Sequence, residues 1–261
     1  MILCKPNLPE GPVKAVAASG EYSYITDELK KLGITVVTTA PHTRLPYPER
    51  FHTDLQLSHY SKGKILVSSN TTTAEDNIVK KLTNISANTN ANINIKKSMS
   101  LLGNKYPYNI CFNSVVIDNK LICNVKFTAK EIIKEFSKPN CKIINTKQGY
   151  SKCSTAVVNS NAVITADESI FKVCKKNNID VLKITPQFIR LPYYNYGFIG
   201  GCCTKLSKDI LAFTGSVKNH PDYILIRSFL QNYGVYILEL SNKPLLDIGG
   251  IFPLTESNDI L

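Results

Sequence analysis

The chain has 261 residues, of which 43% are hydrophobic and 20% charged, and its net charge is +11 at pH 7. This length supports one large domain or two small ones, and no stretch approaches the roughly 18 apolar residues of a membrane span. The start of the chain lacks the charged and apolar regions of a signal peptide, so we expect a soluble, cytoplasmic protein with no membrane partner.

The eight cysteines are too few for a disulfide scaffold in a chain this long, and they form no CxxC pair. Most are therefore expected to be reduced thiols that fill the core. The positive charge favours anionic partners, either small carboxylates or nucleic acid. Because the lysines form no long basic tract, the sequence disfavours a nucleic-acid partner without excluding it, and it leaves the oligomeric state open.

The elements expected along the chain repeat one outline. A partial unit comes first, with a helix over residues 21–31 and a strand over 35–38. Four hairpins follow, because strand-like runs flank short polar turns in HTDLQLSHYSKGKILVSS, NICFNSVVIDNKLICN, KCSTAVVNSNAVITAD and CCTKLSKDILAFTG. Apolar spacing predicts a helix after each hairpin, at 73–82, 128–136, 167–176 and 221–233. A short strand then closes each unit, at 93–95, 142–144, 181–184 and 235–238.

One sequence repeat supports this outline. RLPY occurs at Arg44–Tyr47 and again at Arg190–Tyr193, and each copy leads to a phenylalanine, Phe51 or Phe198, that is expected to start a strand. The result is about five ββαβ units, at 14–40, 51–97, 107–146, 150–185 and 197–240, in one domain over 1–261. A solenoid needs altered capping repeats, which are not evident here, so a closed ring is expected. The C-terminal KPLLDIGGIFPL is expected to complete the short first unit.

The predicted fold class is therefore α/β, a ββαβ propeller with five-fold pseudosymmetry. Such a ring resembles the pentein, or guanidino-group-modifying, superfamily, which includes dimethylargininases, arginine and agmatine deiminases, and amidinotransferases. Three segments carry the resemblance. FHTDLQL resembles the family's His-x-Asp strand, GYSKCSTAVV is similar to the Gly-x-x-x-Cys-Ser segment of dimethylargininases, and GFIGGCC resembles the Leu-Glu-Gly-Gly-Asp strand.

The resemblance implies a cysteine-dependent hydrolase or amidinotransferase acting on carbon–nitrogen bonds of an arginine-like small molecule bound in the central channel. Cys153 would attack the guanidine carbon and form a covalent thiouronium. His52 would protonate the leaving group and later activate water. Asp54 would orient His52 or hold the substrate's cation. Cys203 also lies near the start of a strand, but it is three units from His52.

The resemblance also implies substrate contacts at Gly200 and Gly201. This chain departs from the family pattern at Ile199 and Cys202, where the pattern has two carboxylates, and Asp247 is then a further candidate for a guanidinium partner.

Arg44 and Arg190 lie in equivalent loops, and their guanidinium groups suit a substrate carboxylate. The alternative is that RLPY forms a structural loop in which the arginines bond backbone carbonyls.

Neither a Walker loop nor a dinucleotide fingerprint occurs, because Gly200-Gly201 and Gly249-Gly250 stand alone. We therefore expect a reaction without a cofactor or metal.

Two alternatives stay open at this stage. Cys153 is equally suited to packing as a small core residue, and His52 with Asp54 to a local hydrogen-bonded pair. The whole chain is also suited to a non-catalytic pentein that binds the ribosome, RNA or another anionic partner.

Overall fold

The computed structural model describes residues 1–69, 73–89 and 91–257. Residues 70–72 and 90, in the second expected unit, and 258–261 at the end of the chain lie outside the described residues. The strands are β1 (Val13–Ser19), β2 (Thr35–Thr39), β3 (Leu57–Ser61), β4 (Lys64–Val67), β5 (Asn94–Lys97), β6 (Val115–Ile117), β7 (Lys120–Cys123), β8 (Lys142–Asn145), β9 (Ala156–Asn159), β10 (Ala162–Thr165), β11 (Asp180–Lys183), β12 (Cys203–Lys205), β13 (Ile210–Phe213), β14 (Tyr236–Glu239) and β15 (Ile251–Glu256). The α-helices are α1 (Ser23–Lys31), α2 (Thr53–Gln56), α3 (Thr73–Thr89), α4 (Lys130–Phe136), α5 (Glu168–Lys176) and α6 (Tyr223–Asn232).

The strands of the described ranges form five sheets with one shared topology. Each sheet has three strands, in the orders β15-β1-β2, β3-β4-β5, β6-β7-β8, β9-β10-β11 and β12-β13-β14. The middle strand always has one antiparallel and one parallel neighbour. The parallel pair is linked through a helix, as a parallel connection requires. The expected five-fold ββαβ architecture is therefore confirmed.

The sheets close into a ring. β15 pairs antiparallel with β1, for example Phe252 with Ala17, so the end of the chain takes the first-strand position of the N-terminal sheet. Five clusters of buried apolar side chains each join two neighbouring sheets, and one of them packs the β12-β13-β14 sheet against the β15-β1-β2 sheet. Each sheet therefore buries apolar side chains against two neighbours, which favours a closed arrangement over a stack with exposed ends.

The helices begin and end where local chemistry predicts. Asp167 caps α5, because its carboxylate accepts the N–H of Ile170 at 2.8 Å. Ile170 and Cys174, one turn apart, form the buried side of this helix. The expected helices are present with shifted ends, and α3 continues beyond the expected residue 82. In the part of the chain that the structure describes, no helix is long and apolar enough to cross a membrane.

The expected strand starts at Phe51 and Phe198 are wrong. Phe51 ends a 3₁₀ helix, α2 follows it, and β3 begins only at Leu57. A 3₁₀ helix over Ile199–Cys202 likewise precedes β12. All four residues of α2 are buried, so the alternation in FHTDLQL does not mark one wet and one dry face of a strand.

Candidate active site

The turn that precedes β3 holds His52 and Asp54. The Asp54 N–H donates to the carbonyl of Gly249 at 3.0 Å, which ties α2 to the C-terminal segment. Gly249 has a φ of +76°, and a Cβ there would lie 2.4 Å from the Cβ of His52. Only glycine fits both this backbone conformation and this contact, so the glycine turn fixes the position of His52.

Cys153 lies in the turn before β9, and its thiol meets Asp54 from another unit of the ring. The thiol donates to Asp54 Oδ2 at 2.6 Å. Asn113 Oδ1 accepts the backbone N–H groups of Lys152 and Cys153 at 2.8 and 3.2 Å, and Asn113 Nδ2 lies 3.5 Å from the Cys153 sulfur. The thiol is thus held between an amide and a carboxylate, both buried.

Asp247 is fully buried beside this group. Its carboxylate accepts the backbone N–H groups of Phe198 and Gly249, both at 2.9 Å. A Cβ on Gly201 would lie 1.9 Å from Asp247 Oδ1, and one on Gly197 would lie 2.5 Å from the Asp247 Cβ. The carboxylate therefore depends on two glycines that leave it room.

Gly200 and Gly201 support the site through their backbone. A Cβ on Gly200 would lie 2.2 Å from the carbonyl of Lys152, so this close chain crossing also requires glycine. The Gly201 N–H donates to the Cys153 carbonyl at 2.9 Å, and the Gly201 carbonyl accepts from Ile248 and Gly250. The two glycines thus join the Cys153 turn to the segment that carries Asp247.

A cavity of about 450 Å³ opens onto these groups. His52, Cys153 and Asp247 lie on its wall together with Pro46, Glu49, Lys105, Tyr106, Asn109, Tyr150, Leu191, Tyr194, Asn195, Tyr196 and Phe198. A concave cavity that combines aromatic rings with convergent polar groups is typical of a small-molecule site. The structure brings Cys153, His52, Asp54 and Asp247 together in one place, as their assignment to one site requires.

Three side chains of the site escaped the sequence analysis. Glu49 and Asn109 line the cavity, and Asn113 holds Cys153. Glu49 begins the 3₁₀ helix that precedes β3, whereas Asn109 and Asn113 both lie in the segment before β6, and no catalytic motif marks these positions. Their shared signal is that polar residues occur within otherwise apolar or proline-rich stretches, which is too common to identify a site.

Arg44 and Arg190 are both exposed, and neither lines the cavity. Arg44 lines a separate shallow depression with Thr43. The backbone of Arg190 supports the site instead, because its carbonyl accepts the N–H of Asp247 at 2.9 Å.

Burial sets the protonation of the site. Burial, assisted by the charge of Asp247, raises the pKa of Asp54 to about 8, and burial raises the pKa of Asp247 to about 6. Burial and the adjacent Asp54 raise the pKa of the Cys153 thiol, whereas burial lowers the pKa of His52 to about 4. In the absence of a bound cation, the site therefore holds a protonated thiol and a neutral imidazole at neutral pH.

Lys152 is a buried cation behind the thiol. Its side chain is 3% exposed, and its Nζ donates to the carbonyl of Gly200 at 3.4 Å and lies 5.3 Å from the centre of the Phe252 ring. Its positive charge lowers the pKa of both Asp54 and Asp247. Lys152 therefore offsets part of the negative charge that forms when this site ionises.

The donor atoms of His52, Asp54 and Cys153 lie within 4.8 Å of one another. Nitrogen, oxygen and sulfur donors at such spacing match the ligands of zinc. Metal binding would have to displace the protons of Cys153 and Asp54, whose raised pKa values oppose it.

A family model described as "Family of unknown function (DUF6873)" matches residues 17–252. The chain belongs to this family. No curated protein matches the sequence of this DUF6873 chain.

Solved structures match the DUF6873 chain over nearly its whole length. The inosamine-phosphate amidinotransferase of Streptomyces griseus matches with a TM-score of 0.58 and 9% identity, over 100% of this chain and 99% of that one. The agmatine deiminase of C. jejuni matches with a TM-score of 0.56 and 10% identity, over 98% of this chain and 97% of that one. An amidinotransferase of Microseira wollei matches with a TM-score of 0.56 and 8% identity, over 100% of this chain and 98% of that one. The DUF6873 chain is thus a divergent protein of the pentein fold.

Proposed function

We propose that this protein uses Cys153 as a nucleophile on the central carbon of a guanidine or amidine, in a hydrolysis or an amidino transfer. The observation that carries the proposal is that the thiol, His52 and Asp247 line one cavity, while the buried carboxylate of Asp54 bonds the thiol. The similarity to amidinotransferases and an agmatine deiminase supports it through the fold alone.

The charges of the site suit a cationic substrate. Asp54 and Asp247 are buried and have raised pKa values, so each gains by ionising next to a bound cation. The same cation lowers the pKa of the Cys153 thiol. A guanidinium thereby supplies the charge that the empty site lacks, and the thiol becomes reactive when substrate is bound.

The hydrogen bonds of the site suggest which residue carries each proton in the proposed reaction. The Cys153 proton moves to Asp54, which accepts the thiol's hydrogen bond, while the sulfur forms a bond to the guanidine carbon. Asp54 returns this proton to the leaving nitrogen as its bond to carbon breaks, and an amine departs from a thiouronium. In hydrolysis, neutral His52 then takes a proton from water, and the hydroxide displaces the sulfur to give a urea. His52 returns a proton to the thiolate, and the released amine carries away the proton that remains. In amidino transfer, an amine replaces water.

The test is mass spectrometry of the intact protein during incubation with a panel of guanidines and amidines, combined with detection of the released amine. We expect an adduct on Cys153 and product from at least one compound. Cys153→Ala should abolish both, whereas Cys203→Ala, which removes another buried thiol near a strand start, should keep them. Product formation by Cys153→Ala, or neither adduct nor product across the panel, would refute the proposal.

A further inference from the structure

The cavity has a second acidic group on its wall, formed by Glu49 and Asn109. Glu49 is 6% exposed, and its carboxylate accepts hydrogen bonds from Asn109 Nδ2 at 3.1 Å and from the Tyr194 hydroxyl at 2.7 Å. Asn109 Nδ2 also donates to the Tyr150 hydroxyl at 3.0 Å. Within the described residues, no lysine, arginine or histidine side chain forms an ion pair with Glu49. This carboxylate is thus buried without a cation.

Asn109, which lines the same cavity, has an unsatisfied acceptor. Its side chain is 1% exposed, both hydrogen bonds of its amide nitrogen are accounted for, and its Oδ1 is buried without a hydrogen-bond partner in the described part of the chain. A buried acceptor without a donor costs free energy that a ligand N–H group recovers. Glu49 and Asn109 therefore both favour a ligand with a positively charged group that is rich in N–H donors.

The rest of the cavity agrees with a cation and disfavours an anion. Aromatic rings attract cations through their faces, and five of them line the cavity: Tyr106, Tyr150, Tyr194, Tyr196 and Phe198. Among the lining residues the one lysine or arginine is Lys105, which is exposed. A substrate carboxylate thus has no buried cationic partner, and it would be repelled by Glu49 and Asp247.

We propose that Glu49 and Asn109 form a subsite for a second cationic group of the substrate. The substrate class is then a guanidine or amidine that carries a further ammonium or amidinium group and no carboxylate. This inference rests on the proposed function for the position of the reacting guanidinium at Cys153. The Glu49–Asn109 subsite itself rests on the buried, uncompensated acceptors.

Calorimetric titration of three matched probes tests the subsite in the Cys153→Ala background, which removes turnover. Agmatine and n-butylguanidine differ by the terminal amine, and arginine adds a carboxylate to the agmatine skeleton. A hydrogen-bonded charge contact gives agmatine an expected affinity advantage of about tenfold or more over n-butylguanidine. Arginine should bind more weakly than agmatine.

Glu49→Gln should reduce the agmatine advantage to less than about threefold, because it should weaken agmatine binding more than n-butylguanidine binding. Glu256→Gln is the matched control, because Glu256 is also buried and accepts two backbone N–H groups, but it lies outside the cavity. This control should keep the advantage. Equal affinities for agmatine and n-butylguanidine in the Cys153→Ala protein, or no binding of any probe, would overturn the subsite. This comparison of probes uses a protein with Glu49 intact, so it holds even if the Glu49→Gln variant does not fold.

The two proposals fail in different ways. If agmatine binds preferentially but the wild-type protein forms no Cys153 adduct, the result supports the subsite and refutes the proposed nucleophilic role of Cys153. A Cys153 adduct with equal affinities for the two butyl compounds supports the chemistry and removes the subsite.

Discussion

Replacing the buried cation Lys152 by methionine should make Cys153 harder to ionise. Lys152 Nζ and Asp54 Oδ2 each lie 3.6 Å from the position that a Cβ on Gly250 would occupy, so they are no more than about 7 Å apart. At an effective dielectric constant of about 20, unit charges at about 7 Å interact by about 2.4 kcal/mol. This energy corresponds to about 1.7 pKa units.

The expected result of Lys152→Met is therefore a higher pKa for Asp54, which loses a favourable positive charge, and a higher pH for the ionisation of the pair that Asp54 forms with the Cys153 thiol through their hydrogen bond. The assay is the rate of Cys153 alkylation against pH, read for each cysteine by mass spectrometry. The midpoint should move to higher pH by about 1 to 2 units, which lowers the rate near neutral pH by about tenfold or more.

Lys205→Met is the matched control. Lys205 is also 3% exposed and borders the same small internal void as Lys152, but the charges that act on it are those of Asp209 and Glu10. Its replacement should leave the Cys153 profile in place. A profile of Lys152→Met that coincides with wild type, or moves to lower pH, would refute the electrostatic reasoning.

Three further substitutions test the same site and its surroundings. Gly201→Ala places a Cβ 1.9 Å from Asp247 Oδ1, so urea unfolding should show a stability loss of about 1 to 3 kcal/mol. Burial lowers the pKa of His59 from 6.5 to about 4, so the unfolded state binds more protons at this residue in that window, and the contribution of His59 to stability decreases as pH falls; His59→Leu should lack this contribution. Burial raises the pKa of Asp54 from 3.8 to about 8, so between these pH values the folded state binds more protons at this residue than the unfolded state does. The contribution of Asp54 to the free energy of unfolding therefore decreases as pH rises, and Asp54→Asn should remove this decrease.

Each of these has a control and a contrary outcome. Gly234→Ala introduces a Cβ into open space at a φ of +64°, so it shows the cost of about 1 kcal/mol that a left-handed backbone alone causes. Gly201 has no positive φ, so its loss comes from the contact, and Gly201→Ala as stable as wild type would contradict that contact. His52, Asp54 and Asp247 keep their own shifted pKa values in His59→Leu, so the difference between the wild-type and variant slopes reports His59 alone, and identical slopes would count against the reasoning. A steeper loss of stability between about pH 4 and pH 8 in Asp54→Asn than in wild type would contradict the reasoning for this carboxylate.

Local patterns carried most of the fold prediction. The polar turns between apolar runs located the hairpins β6-β7, β9-β10 and β12-β13, and three-to-four spacing located the helices. These signals act over a few residues, so they survive without knowledge of neighbours. These local signals predicted a strand where α2 forms, because hydrophobic periodicity is informative only when one face is exposed to solvent and the other is buried, and every residue of α2 is buried.

The sequence by itself determined the repeat of ββαβ units and the residue types available for chemistry, including Cys153, His52, Asp54 and Asp247. Only the tertiary structure decided their partners. In the folded structure the Asp54 carboxylate accepts a hydrogen bond from the thiol, Glu49 lines the cavity, and Arg44 and Arg190 lie outside it. The physical reason is distance along the chain: Asp54 and Cys153 are separated by 99 residues and meet only because the ring closes. The raised pKa values follow from the burial that this closure creates.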